Sequence, residues 1–75
     1  MTSHEDTLCE VIARALNVDP ARIDEHASMA TVTEWDSLGH LQVCLAVQER
    51  FGVVMDLDAI AEATSVAALR ALIQP

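Results

Sequence analysis

The sequence predicts an all-α fold, a small bundle of three main helices plus one short helix, and three observations carry that prediction. Of the 75 residues, 52% are hydrophobic but only 3% are aromatic, so the core must be built from Ala, Val, Leu and Ile, a mix that favours helices. Apolar residues recur at three- and four-residue spacing in separate stretches, the period of a helix with one buried face. The β-prone run Val53-Val54-Met55 stands alone, and an isolated strand has nothing to pair with. At this length one hydrophobic core serves the whole chain, so residues 1–75 are expected to form a single domain.

The first helix opens with Thr2-Ser3-His4-Glu5, a capping-box spacing in which the Thr2 hydroxyl and the Glu5 carboxylate satisfy each other's backbone amides. Leu8, Val11, Ile12, Ala15 and Leu16 follow as its buried stripe, and Asn17 and Pro20 end it. From Asn17 to Trp35 no period is sustained. A connection of that length is uncommon in a small domain unless it has its own anchors, and Ile23, Met29 and Val32 are spaced to pin it, with Asp24, Glu25 and Glu34 on its wet side.

The second helix has Asp36 as its N-cap and Gly52 just past its end. At about 100° per residue, Val43, Cys44, Val47 and Phe51 fall on one arc. Leu38 and Leu45 lie roughly a third of a turn or more away, with Leu41 between. That apolar surface is wider than one core contact needs: either the helix is wedged between others on two sides, or part of its surface waits for a partner. Val53 to Met55 then read as an extended link, and Leu57 to Ala63 as one or two helical turns packing through Leu57, Ile60 and Ala61. Thr64 or Ser65 caps a last helix with Val66, Leu69, Leu72 and Ile73 inward, ending at Pro75.

Charge and cysteine content exclude several functions. Twelve acidic residues against four arginines give a net charge of -8, which repels nucleic-acid backbones and anionic membranes alike. No apolar run approaches the roughly 18–20 residues of a membrane span, and the polar start from Thr2 to Asp6 is unlike a targeting peptide, so a cytoplasmic protein is expected. Cys9 and Cys44 sit inside apolar helical patterns with no C-x-x-C pair, which reads as two reduced core thiols.

Catalytic candidates are few. His40 and Cys44 stand at i and i+4 on the second helix, but a zinc site wants about four ligands and a thiol nucleophile wants a third, orienting group. The plainer expectation is a core thiol beneath a partly exposed histidine. Asp56, Asp58 and Glu62 lack the ligand spacing and central Gly of a calcium loop and read as helix-start charges. His4 and His26 are lone, solvated positions. The informative junction is Trp35-Asp36-Ser37-Leu38. A serine hydroxyl in the first turn of a helix is exposed beside backbone amides that favour a phosphate. With no base nearby it is a poor nucleophile by its own means and a better acceptor, modified by another enzyme. By motif alone, helix capping accounts for Asp36 and Ser37 equally well.

The stretch Glu34-Trp35-Asp36-Ser37-Leu38-Gly39-His40-Leu41-Gln42, followed by an apolar helix ending in Phe51-Gly52, resembles the acyl carrier protein family, in particular a discrete carrier. Order and spacing are similar over residues 5 to 74: first helix, long loop, modified serine, second helix, short third helix, and a last helix opening near Thr64-Ser65-Val66. The resemblance implies a single carrier domain that catalyses nothing, a phosphoprotein whose Ser37 bears 4′-phosphopantetheine. A phosphopantetheinyl transferase activates that serine, and its oxygen attacks the coenzyme A pyrophosphate. The attached arm ends in a thiol that holds acyl cargo as a thioester. Asp36 would be the cap and a transferase contact; Leu38, Leu41 and Leu45, with Met55, would form the surface met by partner enzymes. Those partners would be a cargo-loading ligase or acyltransferase and downstream biosynthetic enzymes, served by a monomer.

Departures from the family pattern narrow the expectation. Carriers of fatty-acid synthesis usually show a strongly acidic second helix, whereas Gly39, His40, Gln42 and Gln48 stand where acids are common. Recognition then leans on shape and apolar contact more than on long-range attraction, which points to a specialised, polyketide-like or other secondary pathway. Peptidyl carriers typically show Gly-Gly where this chain has Glu34-Trp35, which argues against a standard peptide-synthetase domain; a discrete aminoacyl or peptidyl carrier, which can also show Asp-Ser-Leu, is the alternative, alongside an unmodified helical interaction module. Trp35 either lids the core beside the loop or faces a partner.

Overall fold

A computed structural model describes residues 4–73 of the chain. In order it contains α1 (His4–Leu16), a one-turn 3-10 helix (Pro20–Arg22), α2 (Ser37–Phe51), α3 (Leu57–Glu62) and α4 (Val66–Ile73). This is the expected all-α bundle, with the 3-10 turn as an addition. Among the described residues no helix is long and apolar enough to cross a membrane.

The helices end where local chemistry ends them. The expected Thr2 cap of α1 and the stop at Pro75 lie outside the described residues. At the other end of α1, Asn17 takes a left-handed φ of 59°. The Asn17 amide then bonds the Arg14 carbonyl and the Val18 amide the Ala13 carbonyl at 2.9 Å, closing the helix with a paired reverse turn. Asp36 caps α2 through the Gly39 amide, Gly52 ends it at φ 68° with its amide on the Gln48 carbonyl, and Asp56 caps α3 through the Ala59 amide. Ser65, one of two expected caps, accepts from the Ala68 amide at the start of α4.

α1 packs chiefly on α2 and more lightly on α4. The core holds Leu8, Ile12 and Leu16 from α1, Val43, Cys44 and Val47 from α2, and Val66 and Leu69 from α4. The long loop supplies Ile23, Ala27, Val32 and Trp35, all buried, while Met29 is half-buried. Its backbone is also stitched to the entry of α4: Met29 donates to the Thr64 carbonyl and Val66 to the Ala27 carbonyl, both at 3.0 Å, around an antiparallel bridge between Ser28 and Ser65. Glu34 and Glu25 are not merely wet. Arg22 grips Glu34 with two bonds of 2.7 and 2.8 Å, holding that carboxyl below the usual range through the hydrogen bond, and Arg70 of α4 grips Glu25.

Several inward assignments are corrected. Leu57 is 83% exposed and Ala61 is exposed; α3 packs instead through Ala59, Ile60 and the buried Ala63 that follows it. Leu72 is exposed, and Phe51 lies half-buried at the rim, under the Arg50 guanidinium. Leu57, Ala61 and Leu72 lie near the ends of their helices and stay in solvent, whereas Phe51 packs on the core from its edge. Cys9 is half-buried and Cys44 buried, and the two form no disulfide.

Candidate functional site

The junction between the long loop and α2 is fixed from both sides. Upstream, Trp35 is 1% exposed, so of the two roles open to it the structure selects the core. Its indole Nε1–H donates to His40 Nδ1 at 2.9 Å, and its backbone amide donates to the Val32 carbonyl. Downstream, the Asp36 carboxylate takes the Gly39 amide at 2.8 Å and the Asp36 carbonyl takes the His40 amide at 2.7 Å. Between these anchors Ser37 is exposed at the first position of α2.

Gly39 is what lets the first turn of α2 sit so close. A Cβ there would stand 2.6 Å from the Glu34 carbonyl oxygen and 2.8 Å from Leu16 Cδ2, well inside contact distance. The sequence alone reads Gly39 as a surface position vacated by an acid; it is a buried close approach. Its signal is simply a glycine in the first turn of an otherwise confident helix, where glycine is disfavoured.

His40 is likewise corrected. It is buried, not partly exposed, and contacts the Ile60 carbonyl through Nε2 at 2.6 Å. Cys44 Sγ lies 3.5 Å from that same Nε2. The pair therefore does meet, but not as a nucleophile and base: indole N–H groups only donate, so Nδ1 is the acceptor and Nε2 carries the proton. The ring has no lone pair aimed at the thiol. Burial pushes the Cys44 thiol up, which keeps it protonated. Among the described residues no three His, Cys, Asp or Glu side chains converge as metal ligands.

On the outer face of α2, Leu38 is 67%, Leu41 52% and Leu45 63% exposed, so the over-wide apolar surface is a bare stripe and not a second buried contact. Met55 does not join it. In the irregular link after Gly52, neighbouring side chains face opposite ways: Met55 is buried while Val54 is 92% exposed. The Met55 amide is held by Gln48 Oε1 at 3.0 Å. Val54 and Leu57 are thus the exposed apolar residues beyond α2 that sequence reading missed; the alternation of the link was the available clue.

A family model described as the phosphopantetheine attachment site matches residues 6–73. The chain belongs to that family. No curated protein sequence matches it. The match identifies a phosphopantetheine-carrying carrier protein of the acyl carrier family, whose domain is the site of covalent 4′-phosphopantetheine attachment. Such domains are generally non-catalytic and work with a phosphopantetheinyl transferase and biosynthetic enzymes.

The junction of this carrier fits the group. Asp36 occupies the third amide of α2 and leaves those of Ser37 and Leu38 without a protein acceptor among the described residues, the arrangement in which a helix N-terminus receives a phosphate. The neighbouring bare leucines offer an apolar surface beside it.

Proposed function

We propose that Ser37 is the residue that carries 4′-phosphopantetheine and that this carrier shuttles acyl intermediates in a specialised biosynthetic pathway. One observation carries the assignment: an exposed hydroxyl at the first position of α2, with two backbone amides beside it open to a phosphodiester. In the modification, Ser37 Oγ bonds to the pantetheine-bearing phosphorus of coenzyme A. The pyrophosphate bond breaks, the adenosine bisphosphate leaves, and the hydroxyl proton passes to the transferase. When attached, the group supplies a thiol on which cargo is held as a thioester. Ser37, Leu38 and Asp36 hold and orient its phosphate end: the first two through their amides, the third by fixing the helix turn.

Leu38, Leu41 and Leu45 form the docking stripe for the transferase, a loading ligase or acyltransferase, and later enzymes. The specialised pathway is supported by the surface of α2, which bears no carboxylate from Ser37 to Gln48. Gly39 and His40 are buried, so this face is apolar with Gln42 in place of acids. Buried residues of α1, α2 and α4 share one cluster, with Ala59 and Ile60 of α3 packed against it, which supports reading the chain as a single carrier domain.

The test is intact mass after incubation of the unmodified protein with coenzyme A and a broad-specificity transferase. A gain of one phosphopantetheine, absent in Ser37→Ala, is expected. No gain, or an equal gain in Ser37→Ala, refutes the assignment.

A further inference from the structure

His40 is the buried polar side chain of the described core, and its contacts join three segments far apart in sequence. Nδ1 accepts from Trp35, two residues before Ser37. Nε2–H donates to the Ile60 carbonyl, one of the last-turn carbonyls that a helix cannot satisfy internally; the Thr64 amide that would otherwise reach it bonds Glu62 instead. The ring itself rides on α2. These bonds fit one state of the imidazole, the neutral Nε2–H form. A second proton can enter only at Nδ1, where it would face the indole N–H, donor against donor, with Trp35 buried and no water-exposed alternative for its N–H.

We propose that His40 is the positioning residue of the serine junction and a proton-operated latch: neutral, it clamps the Trp35 end of the loop and the last turn of α3 onto α2; protonated at Nδ1, it releases the Trp35 N–H while Nε2–H keeps its bond to the Ile60 carbonyl. The charged groups on the surrounding elements are engaged elsewhere or exposed. On α2 the neighbour is the protonated Cys44 thiol. On the loop side Asp36 is engaged by the Gly39 amide and Glu34 by Arg22. On α3 Asp56 caps Ala59 while Asp58 and Glu62 are exposed; on α4 Arg70 is held by Glu25, and on α1 Arg14 is exposed. The consequence for carrier loading rests on the Ser37 assignment; the latch itself does not.

The chain has one tryptophan, so its indole N–H is an unambiguous reporter. NMR titration from about pH 8 to about pH 5, the range in which histidine charge changes serve as switches, follows the His40 ring and the Trp35 indole together. The two should share one midpoint, with indole hydrogen exchange rising about tenfold or more beyond the solvent trend as the ring takes its proton. In His40→Gln, which keeps a neutral donor and acceptor, that transition should vanish. The wild-type to His40→Gln ratio of phosphopantetheine transfer rates should fall several-fold across the same midpoint. A ring that stays neutral throughout, or an indole that does not respond when the ring titrates, overturns the latch, and both are read on wild-type protein even if the variant fails to fold. Ser37→Ala should keep the full indole transition, so its modification by the transferase would refute the serine assignment while leaving the latch standing.

Discussion

Residues 17–35 contain no α-helix, yet they are the better anchored of the two connections that flank α2. They bury Ile23, Ala27, Val32 and Trp35, bond their backbone to the entry of α4, and hold two arginines through Glu25 and Glu34. Residues 52–63 include a helix, but leave Val54 and Leu57 in solvent and bury only Met55 and Ala63 among their apolar side chains. Their hydrogen bonds back to α2 are Gly52–Gln48, Met55–Gln48 and Ile60–His40. Apolar burial, and not regular secondary structure, sets local rigidity. The serine is therefore entered from a fixed loop, while the short helix beyond α2 is the part with least packing to resist displacement.

The sharpest way to break this contrast is Trp35→Ala, which removes the largest fully buried side chain from the irregular segment. It should destabilise by about 3–5 kcal/mol, comparable to the whole stability of so small a domain, seen as loss of the urea transition by circular dichroism. Gly39→Ala comes next. The Cβ collides with the Glu34 carbonyl and Leu16, for about 1–3 kcal/mol of overpacking, and a slower modification of Ser37 should accompany the lower urea midpoint. On the looser side, Asp56→Ala should lose about 1 kcal/mol of capping. The loss is local: amide exchange should quicken in Ala59–Ala63 while α1 is unchanged, and uniform quickening would mean α3 is no weaker than the loop.

Smaller still are Leu57→Ala and Leu45→Asp, each within about 0.5 kcal/mol of wild type because both side chains are mostly in water. Leu45→Asp should nonetheless raise the transferase KM, separating docking from folding. Least of all is the Arg22–Glu34 pair, exposed and screened by solvent. Because the folded carboxyl is lowered, its contribution is complete above the usual carboxylate range and fades as pH falls below it. Glu34→Gln should flatten that part of the stability-against-pH curve and leave neutral-pH stability almost unchanged.

Much of this was legible in the residues. Asn17, Asp36, Gly52, Asp56 and Ser65 each end or begin a helix through bonds made within a few residues, so sequence spacing contains the whole interaction. The place of Ser37 follows from Asp36 in the same way, and helical geometry sets Leu38, Leu41 and Leu45 off from the core arc, although their exposure had to come from the structure. Positions near helix ends were less legible: Leu57 and Leu72 share the apolar pattern of their neighbours but are exposed, and Phe51 reaches the core only from its rim.

The sequence by itself determined where the helices run, which serine opens α2, and that no long-range attraction from an acidic α2 is on offer, because caps, periodicity and composition act over one or two turns. Only the tertiary structure decided that Trp35 and His40 face each other inside, that Gly39 has no room for a methyl group, and that Met55 points in while Val54 points out. Those outcomes depend on which remote segment arrives against each face, and contacts such as His40 with Ile60, twenty residues apart, exist only after the chain has closed on itself.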